Sequence, residues 1–260
     1  MIINTPAELY LPDARIVALV GAGGKTSLMI AMAAHAVAAG ETVVLTTTTK
    51  LAANTAYPVF WDGQESSLPC LQSRLFRSRS LILARDRAPT TGKLLGLTPE
   101  AVDLLAASGL TDRVFVEADG ARGKSLKAPA DHEPVIPRST DLVIGIMGAE
   151  AFGAPMNETH VFRPERLSAL SDVRPSGALD AYILARLVAH PQGLFKNAPP
   201  SPCRRVLYVN KMDRVGESGW EMLRHARRLS EAAHPDGPTS ATLWFAGSIK
   251  EVWLLPVDGD

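Results

Sequence analysis

The run Ile16-Val-Ala-Leu-Val20 passes directly into Gly21-Ala-Gly-Gly-Lys-Thr-Ser27, and an alanine-rich stretch of helical period follows. The pattern reads as strand, glycine turn and helix, the opening unit of a parallel α/β sheet. Glycine lets the backbone curl until its N–H groups converge into a nest for an anion. The helix start adds its own unpaired N–H groups and the positive end of its dipole. Gly21, Ala22, Gly23, Gly24 and Ser27 thereby frame a phosphate site. Lys25 is placed to reach the outer phosphates and to act in catalysis, and the Thr26 hydroxyl to hold Mg²⁺.

The usual G-x-x-x-x-G-K-[ST] spacing is not met, because its first glycine would fall at Leu19. The shorter G-x-x-G-K-[ST]-[ST] form resembles the nucleotide loop of the Mur-type peptide ligases. Leu28, Met29, Met32, Ala33, Ala36 and Val37 then recur at helical spacing up to Gly40. His35 lies within that helix with no ligand partner nearby, and reads as a solvent-facing or core residue.

Thr42-Val-Val-Leu45 is a second strand, and it ends in Thr46-Thr-Thr-Thr-Lys50. Hydroxyls and an ammonium at the C-terminal end of a strand suit contacts to a γ-phosphate or Mg²⁺, so Thr48 and Lys50 join the candidate site. Further strands are expected at Ser80–Ala84 and Val114–Val116, with a short one within Thr91–Gly96. Thr98-Pro99 opens a helix, with threonine as cap and proline at the first helical position; its apolar members are Val102, Leu104 and Leu105.

Strand 114–116 delivers Glu117-Ala-Asp119. Both acids are candidates for the magnesium shell, with Asp119 preferred as metal ligand and Glu117 preferred for polarising water or a substrate nucleophile. A long polar loop follows, Lys124-Ser-Leu-Lys-Ala-Pro-Ala-Asp-His-Glu-Pro-Val-Ile-Pro137, of the kind that forms active-site walls. Lys124 and Lys127 are candidates for binding a second anion, Arg122 for binding substrate, and His132 for shuttling a proton.

Asp141–Met147 is almost continuously apolar, as a central parallel strand should be. The loop after it carries His160 and Arg163, two further substrate-binding candidates. A helix is expected from about 178 to 190, and the connector 191–202 holds four prolines. Arg205–Val209 then delivers Asn210-Lys-Met-Asp213, the N-K-x-D pattern that reads guanine. A carboxylate can accept from both the N1–H and the 2-amino group of guanine, whereas adenine offers neither. Asn210 holds the base region and the Lys211 stem lies against the ring. Ser218 and Glu221 suggest a capping box for the next helix. The last expected central strand, 241–246, ends at Gly247-Ser248, where a backbone N–H is suited to the purine carbonyl. Glu251–Leu255 reads as an edge strand.

Acidic and basic residues balance at 27 each, so no net field draws the chain to nucleic acid or anionic lipid. Cys70 and Cys203 are too few for a disulfide framework and read as free core thiols. The N-terminus lacks the basic start and apolar run of a signal peptide, and no apolar stretch reaches membrane-spanning length. A cytoplasmic protein without membrane or nucleic-acid partners is expected.

Taken together, GAGGKTS, TTTTK, EADGARGKSLKAPADHEPVIP, HVFRPE and VNKMD resemble the YqeC family over almost the whole chain. The resemblance implies an accessory protein for selenium-dependent molybdenum hydroxylases, concerned with a labile selenium cofactor. The implied partners are a molybdenum hydroxylase or another cofactor-maturation protein, with a selenium-containing or other small molecule as substrate. It also assigns the phosphate loop, with Lys25 and Thr26, to nucleotide binding. The expectation is one α/β domain over residues 1–260, a P-loop NTPase-like three-layer sandwich with a mostly parallel central sheet and loop insertions near 51–80, 120–138 and 148–164. The expected cofactors are Mg²⁺ and GTP or ATP. Three activities compete: NTP hydrolysis or NTP-dependent transfer, Mur-like activation of a small substrate, and a nucleotide-switched binding protein without small-molecule chemistry.

Overall fold

A computed structural model of the chain describes residues 4–53, 57–61, 68–174, 177–233 and 242–257. β1 (Ile16–Gly21) runs through the glycine turn into α1 (Lys25–Ala38), and β2 (Val43–Thr47) follows. β3 (Lys50–Leu51) leaves the sheet; β4 (Val59–Trp61), α2 (Leu68–Ser78) and β5 (Ser80–Ala84) return to it. β6 (Asp86–Arg87) and β7 (Leu94–Leu95) join β3 in a small antiparallel sheet. α3 (Pro99–Ala107) precedes β8 (Arg113–Glu117), β9 (Leu126–Lys127), β10 (Leu142–Gly148) and β11 (Val161–Phe162). The chain continues with α4 (Pro164–Ser171), α5 (Ala181–Ala189), β12 (Arg204–Asn210), α6 (Glu217–Ala233), β13 (Leu243–Ser248) and β14 (Trp253–Pro256).

Among the described residues nine strands form the main sheet in the order β14-β13-β12-β10-β1-β8-β2-β5-β4, all parallel except β14 at the edge. Alternation along β1 shows how the layers arise. Val17 and Leu19 pack with Leu28, Met29 and Met32 of α1 on one face. Ala18 and Val20 pack on the other face, in the cluster that also holds residues of α5 and α6, while Ile16 joins the one built with α2 and α3. The fold is therefore a three-layer α/β sandwich around a mostly parallel sheet. Every position of β1, β8 and β10 is buried, which explains the unbroken apolar character of β1 and β10 and of the middle of β8.

One crossover positions the site. β8 inserts between β1 and β2, and the register sets Glu117 beside Leu19 on one side and Thr47 on the other. The acidic strand end is thereby brought against the glycine loop. Within the segments 120–138 and 148–164, β9 and β11 pair in parallel to make one ledge.

Thr98 caps α3 as its sequence predicts, accepting from the Ala101 N–H. Leu104, however, is 72% exposed, so α3 buries Val102, Leu105 and Ala106, with Ala101 packed partly against the same cluster. The capping box at Ser218 does not form, because α6 already begins at Glu217. His35 is exposed and meets the Tyr10 ring edge-on. Cys70 and Cys203 are only partly buried rather than core residues. Residues 1–3 and Ala241 of the last expected central strand lie outside the described residues. No described helix is long and apolar enough to cross a membrane.

Candidate functional site

The turn after β1 needs its glycines. Gly23 has φ +86°, and a Cβ there would lie 2.4 Å from the Gly148 amide nitrogen. Gly24 has φ +136°, and a Cβ would lie 2.5 Å from Nδ2 of Asn210. Three loop amides are already engaged: Gly21 donates to Oδ2 of Asp119 (3.0 Å), Ala22 to the Ile146 carbonyl (2.9 Å) and Gly23 to the Lys124 carbonyl (3.1 Å). The anion nest is thus narrower than the glycine run suggests. Its donors are the backbone groups from Gly24 to Ser27, which line the cavity at the start of α1.

That cavity encloses about 760 Å³, bounded by the loop on one side and the β9–β11 ledge on the other. At its floor the Thr26 hydroxyl donates to Oε2 of Glu117 at 2.6 Å. Burial raises the pKa of Glu117, against the opposing pull of Lys25 at 3.9 Å and the Thr26 hydrogen bond. A nearly buried carboxylate facing a hydroxyl, with its pKa raised, is a place that favours a cation.

Asp119 occupies a different position. It is 2% exposed and lies behind the loop, accepting from the Gly21 N–H and pairing with Nζ of Lys25 (3.1 Å) and of Lys127 (2.9 Å). Two lysines and a backbone amide hold this carboxylate, whereas Glu117, not the preferred Asp119, is the acid that meets Thr26. Lys127 is likewise no surface anion binder. It is buried between Asp119 and Glu133, with Nζ 2.9 Å from each. Glu133 in turn receives Arg163 at 2.7 Å. Burial alone would raise the pKa of Glu133, but Lys127 and then Arg163 hold it down to about 2. Lys25, Asp119, Lys127, Glu133 and Arg163 thus form a continuous chain of alternating charge from the loop to the ledge.

Thr48 and His160 do not reach the cavity. The Thr48 hydroxyl donates to the Val135 carbonyl (2.6 Å), and the backbone of His160 serves β9 by accepting from the Leu126 N–H (3.2 Å). Lys50, Arg122, Lys124, His132, Arg163 and Lys211 all line it.

A second, smaller cavity of about 270 Å³ adjoins the first, and Gly24, Ser27 and Lys211 line both. Its other walls include Asn210, Asp213, Ser248 and Ile249. Asn210 is the hinge between loop and pocket. Its Nδ2 donates to the Gly23 carbonyl (2.8 Å), and its Oδ1 accepts from the Ile249 N–H (3.1 Å) and the Tyr208 hydroxyl (3.2 Å). Asp213 is exposed, on a short 3-10 turn immediately after Lys211. Gly247 lies within β13, opposite Leu254 of β14, and does not line the pocket.

Sequence reasoning passed over Glu133, Glu150, Phe162 and Lys93. Glu150 binds Lys211 and Ser125 and meets Arg214 at 2.7 Å. Lys211 is thereby tied to the ledge side rather than lying free beside the base pocket. Phe162 carries the Arg163 guanidinium 4.2 Å and that of Arg122 5.1 Å from its centroid. Glu133 had a local signal in its clustered lysines and histidine. Phe162 had only its place in the HVFRPE run, because the partners that give it a role lie in another loop.

Comparison with known proteins places these residues in context. The family model for the YqeC protein matches residues 17–165, which include the glycine loop, the acidic strand end and the ledge. An uncharacterised protein of Escherichia coli (strain K12), YqeC, is 39% identical over 197 residues, covering 75% of each chain. Among solved structures, the signal recognition particle 54 kDa protein from Aeropyrum pernix K1, in complex with GDP, aligns with 96% of this chain at 18% identity and a TM-score of 0.41. This chain spans only 45% of the length of that one. By sequence match over more than half its length, the chain belongs to the YqeC family.

Proposed function

We propose that this protein binds a Mg²⁺–nucleoside triphosphate, with guanine preferred to adenine, and acts as an NTP hydrolase or NTP-dependent transferase. Its proposed role is maturation of the selenium-containing cofactor of molybdenum hydroxylases, with a hydroxylase or cofactor-maturation protein as partner. The pathway rests on the family resemblance; the chemistry rests on the site. One observation carries the nucleotide reading: the loop residues Gly24 and Ser27 line two adjoining cavities, the larger rich in cations and the smaller holding Asn210 and Asp213 beside Lys211, Arg214 and Lys250. A triphosphate and a base have separate places on either side of one loop.

The residues fit a magnesium ion. The Thr26 hydroxyl and the Glu117 carboxylate converge in the cavity floor. No group of three or more His, Cys, Asp or Glu side chains able to hold a metal occurs among the described residues. Its other ligands would be phosphate oxygens and water, as is usual for Mg²⁺ at nucleotides. Bound there, it supplies charge neutralisation on the phosphates. The Gly24–Ser27 amides bind and orient the polyphosphate. Lys25, which now contacts the Gly21 carbonyl and Asp119, turns outward to stabilise the γ-phosphate charge.

Titration with GTP and ATP under identical Mg²⁺ tests this reading. A charge-assisted pair to Asp213 is worth about 2 to 4 kcal/mol, or roughly 30- to 1000-fold in favour of GTP. Asp213→Asn should erase most of that preference and admit xanthosine triphosphate, whose 2-oxo group suits an amide donor. Equal affinities or tighter ATP binding would overturn guanine selection. Binding of neither nucleotide would overturn the site itself.

A further inference from the structure

We infer that the β9–β11 ledge carries a second oxyanion subsite, built by Arg122, Arg163 and Phe162, which receives the phosphate or carboxylate group of a small acceptor molecule. The inference rests on reading the neighbouring loop as a triphosphate site.

The first argument is charge. The chain as a whole has a formal net charge of zero. Yet among the described residues the larger cavity is lined by seven lysine and arginine side chains and two carboxylates, Glu117 and Glu133. Lys25, Arg163 and Lys211 have acidic partners. Lys50, Lys93, Arg122 and Lys124 have none among the described residues. A magnesium-bound triphosphate engages the loop end of the cavity and leaves the ledge cations uncompensated. Like charges gathered in one hollow repel each other, so the arrangement favours a second anion there.

The second argument is construction. Arg122 and Arg163 have φ of +48° and +67°, left-handed conformations that few residues other than glycine adopt and that tend to occur at ligand clamps. Both guanidinium groups lie against the same Phe162 ring, at 5.1 and 4.2 Å from its centroid. Arg163 is further fixed by Glu133 at 2.7 Å and by the Ala128 carbonyl at 3.3 Å. Glu133 is itself anchored from below by Lys127. A guanidinium braced in this way loses little freedom when it binds, and its planar fork suits the paired oxygens of phosphate or carboxylate. Arg122 contributes the open half of the clamp, since its side chain is exposed and has no acidic partner among the described residues.

The test uses the purified full chain in two arms. The first measures binding of a non-hydrolysable GTP analogue with Mg²⁺ and no other oxyanion. The second saturates the protein with that analogue and titrates glycerol 2-phosphate or succinate by calorimetry, so that the two probes separate a phosphate-bearing from a carboxylate-bearing acceptor. One of them should bind, and Arg122→Ala should weaken it by about ten-fold or more while the affinity for the analogue alone stays within about two-fold. Arg163→Lys, which keeps the charge but loses the fork, should weaken it similarly. Undiminished binding in Arg122→Ala overturns the subsite, as does failure of both probes to bind below about 10 mM. If the analogue itself fails to bind, the nucleotide reading falls on the first arm alone. The probes are then titrated into the free protein, where the same loss or persistence in Arg122→Ala still decides the subsite.

Discussion

Lys127→Met is the substitution with the clearest structural consequence. Methionine keeps the length and most of the volume of the lysine stem, so the packing around β9 is preserved while the ammonium is removed. Lys127 is 2% exposed and bridges Asp119 and Glu133, at 2.9 Å from each. Removing one member of a buried ion pair typically costs about 3–5 kcal/mol, because the partner is left charged and unsolvated. Here neither partner is wholly abandoned. Asp119 keeps Lys25 at 3.1 Å and the Gly21 N–H at 3.0 Å, and Glu133 keeps Arg163 at 2.7 Å. The expected loss at neutral pH therefore falls just below that range, about 2–3 kcal/mol, measured by urea denaturation. The pH dependence distinguishes an electrostatic loss from a packing loss. The folded pKa of Glu133 is depressed from 4.5 to about 2. Its contribution is fully present above about pH 4.5 and is lost as the pH falls towards 2. Without Lys127 the folded pKa moves back up towards its ordinary value, so the variant has less to lose in acid. The gap between the two proteins should be widest near neutrality and narrow through that window. A gap below about 0.5 kcal/mol at pH 7, or one that stays constant down to pH 3, would refute the assignment of Lys127 as an electrostatic bridge.

Glu117→Gln keeps a hydrogen-bond partner for Thr26 but removes the charge, so nucleotide binding should require about ten-fold more Mg²⁺ while binding without the ion is unchanged; an unaltered Mg²⁺ titration would take Glu117 out of the metal shell. Asp119→Asn should instead lower stability, because both lysines it holds are buried, and a purely Mg²⁺-dependent phenotype would show that the two acids have exchanged these roles. Gly24→Ala meets a left-handed backbone and an immobile Asn210 amide at 2.5 Å, so it should cost about 2 kcal/mol in thermal unfolding and weaken nucleotide binding; a neutral result would mean that the turn is free to relax.

The local elements of this fold were legible because they depend on short-range rules. The unbroken apolar runs of β1 and β10, the glycine turn and the Thr98-Pro99 helix start each follow from backbone sterics and burial within a few residues. The same rules pointed to Lys25, Thr26, Glu117 and Asn210 as residues meeting near one loop. Their division of labour was not legible. Glu117 and Asp119 share a strand parity, so alternation could not tell the acid facing Thr26 from the acid behind the loop. That difference is decided by Lys127, which reaches Asp119 only once β9 is laid across the sheet. Thr48 has the composition of a phosphate contact, yet its hydroxyl is taken by the Val135 carbonyl of a loop far along the chain. Phe162 and Arg163 meet Arg122 and Glu133 only through the pairing of β9 with β11, a non-local contact with no signature in either segment. Sequence by itself determined which groups this chain possesses at its strand ends. Tertiary structure decided which of them remain available, because a buried charge is satisfied by whichever opposite charge the fold brings within reach, however distant in sequence.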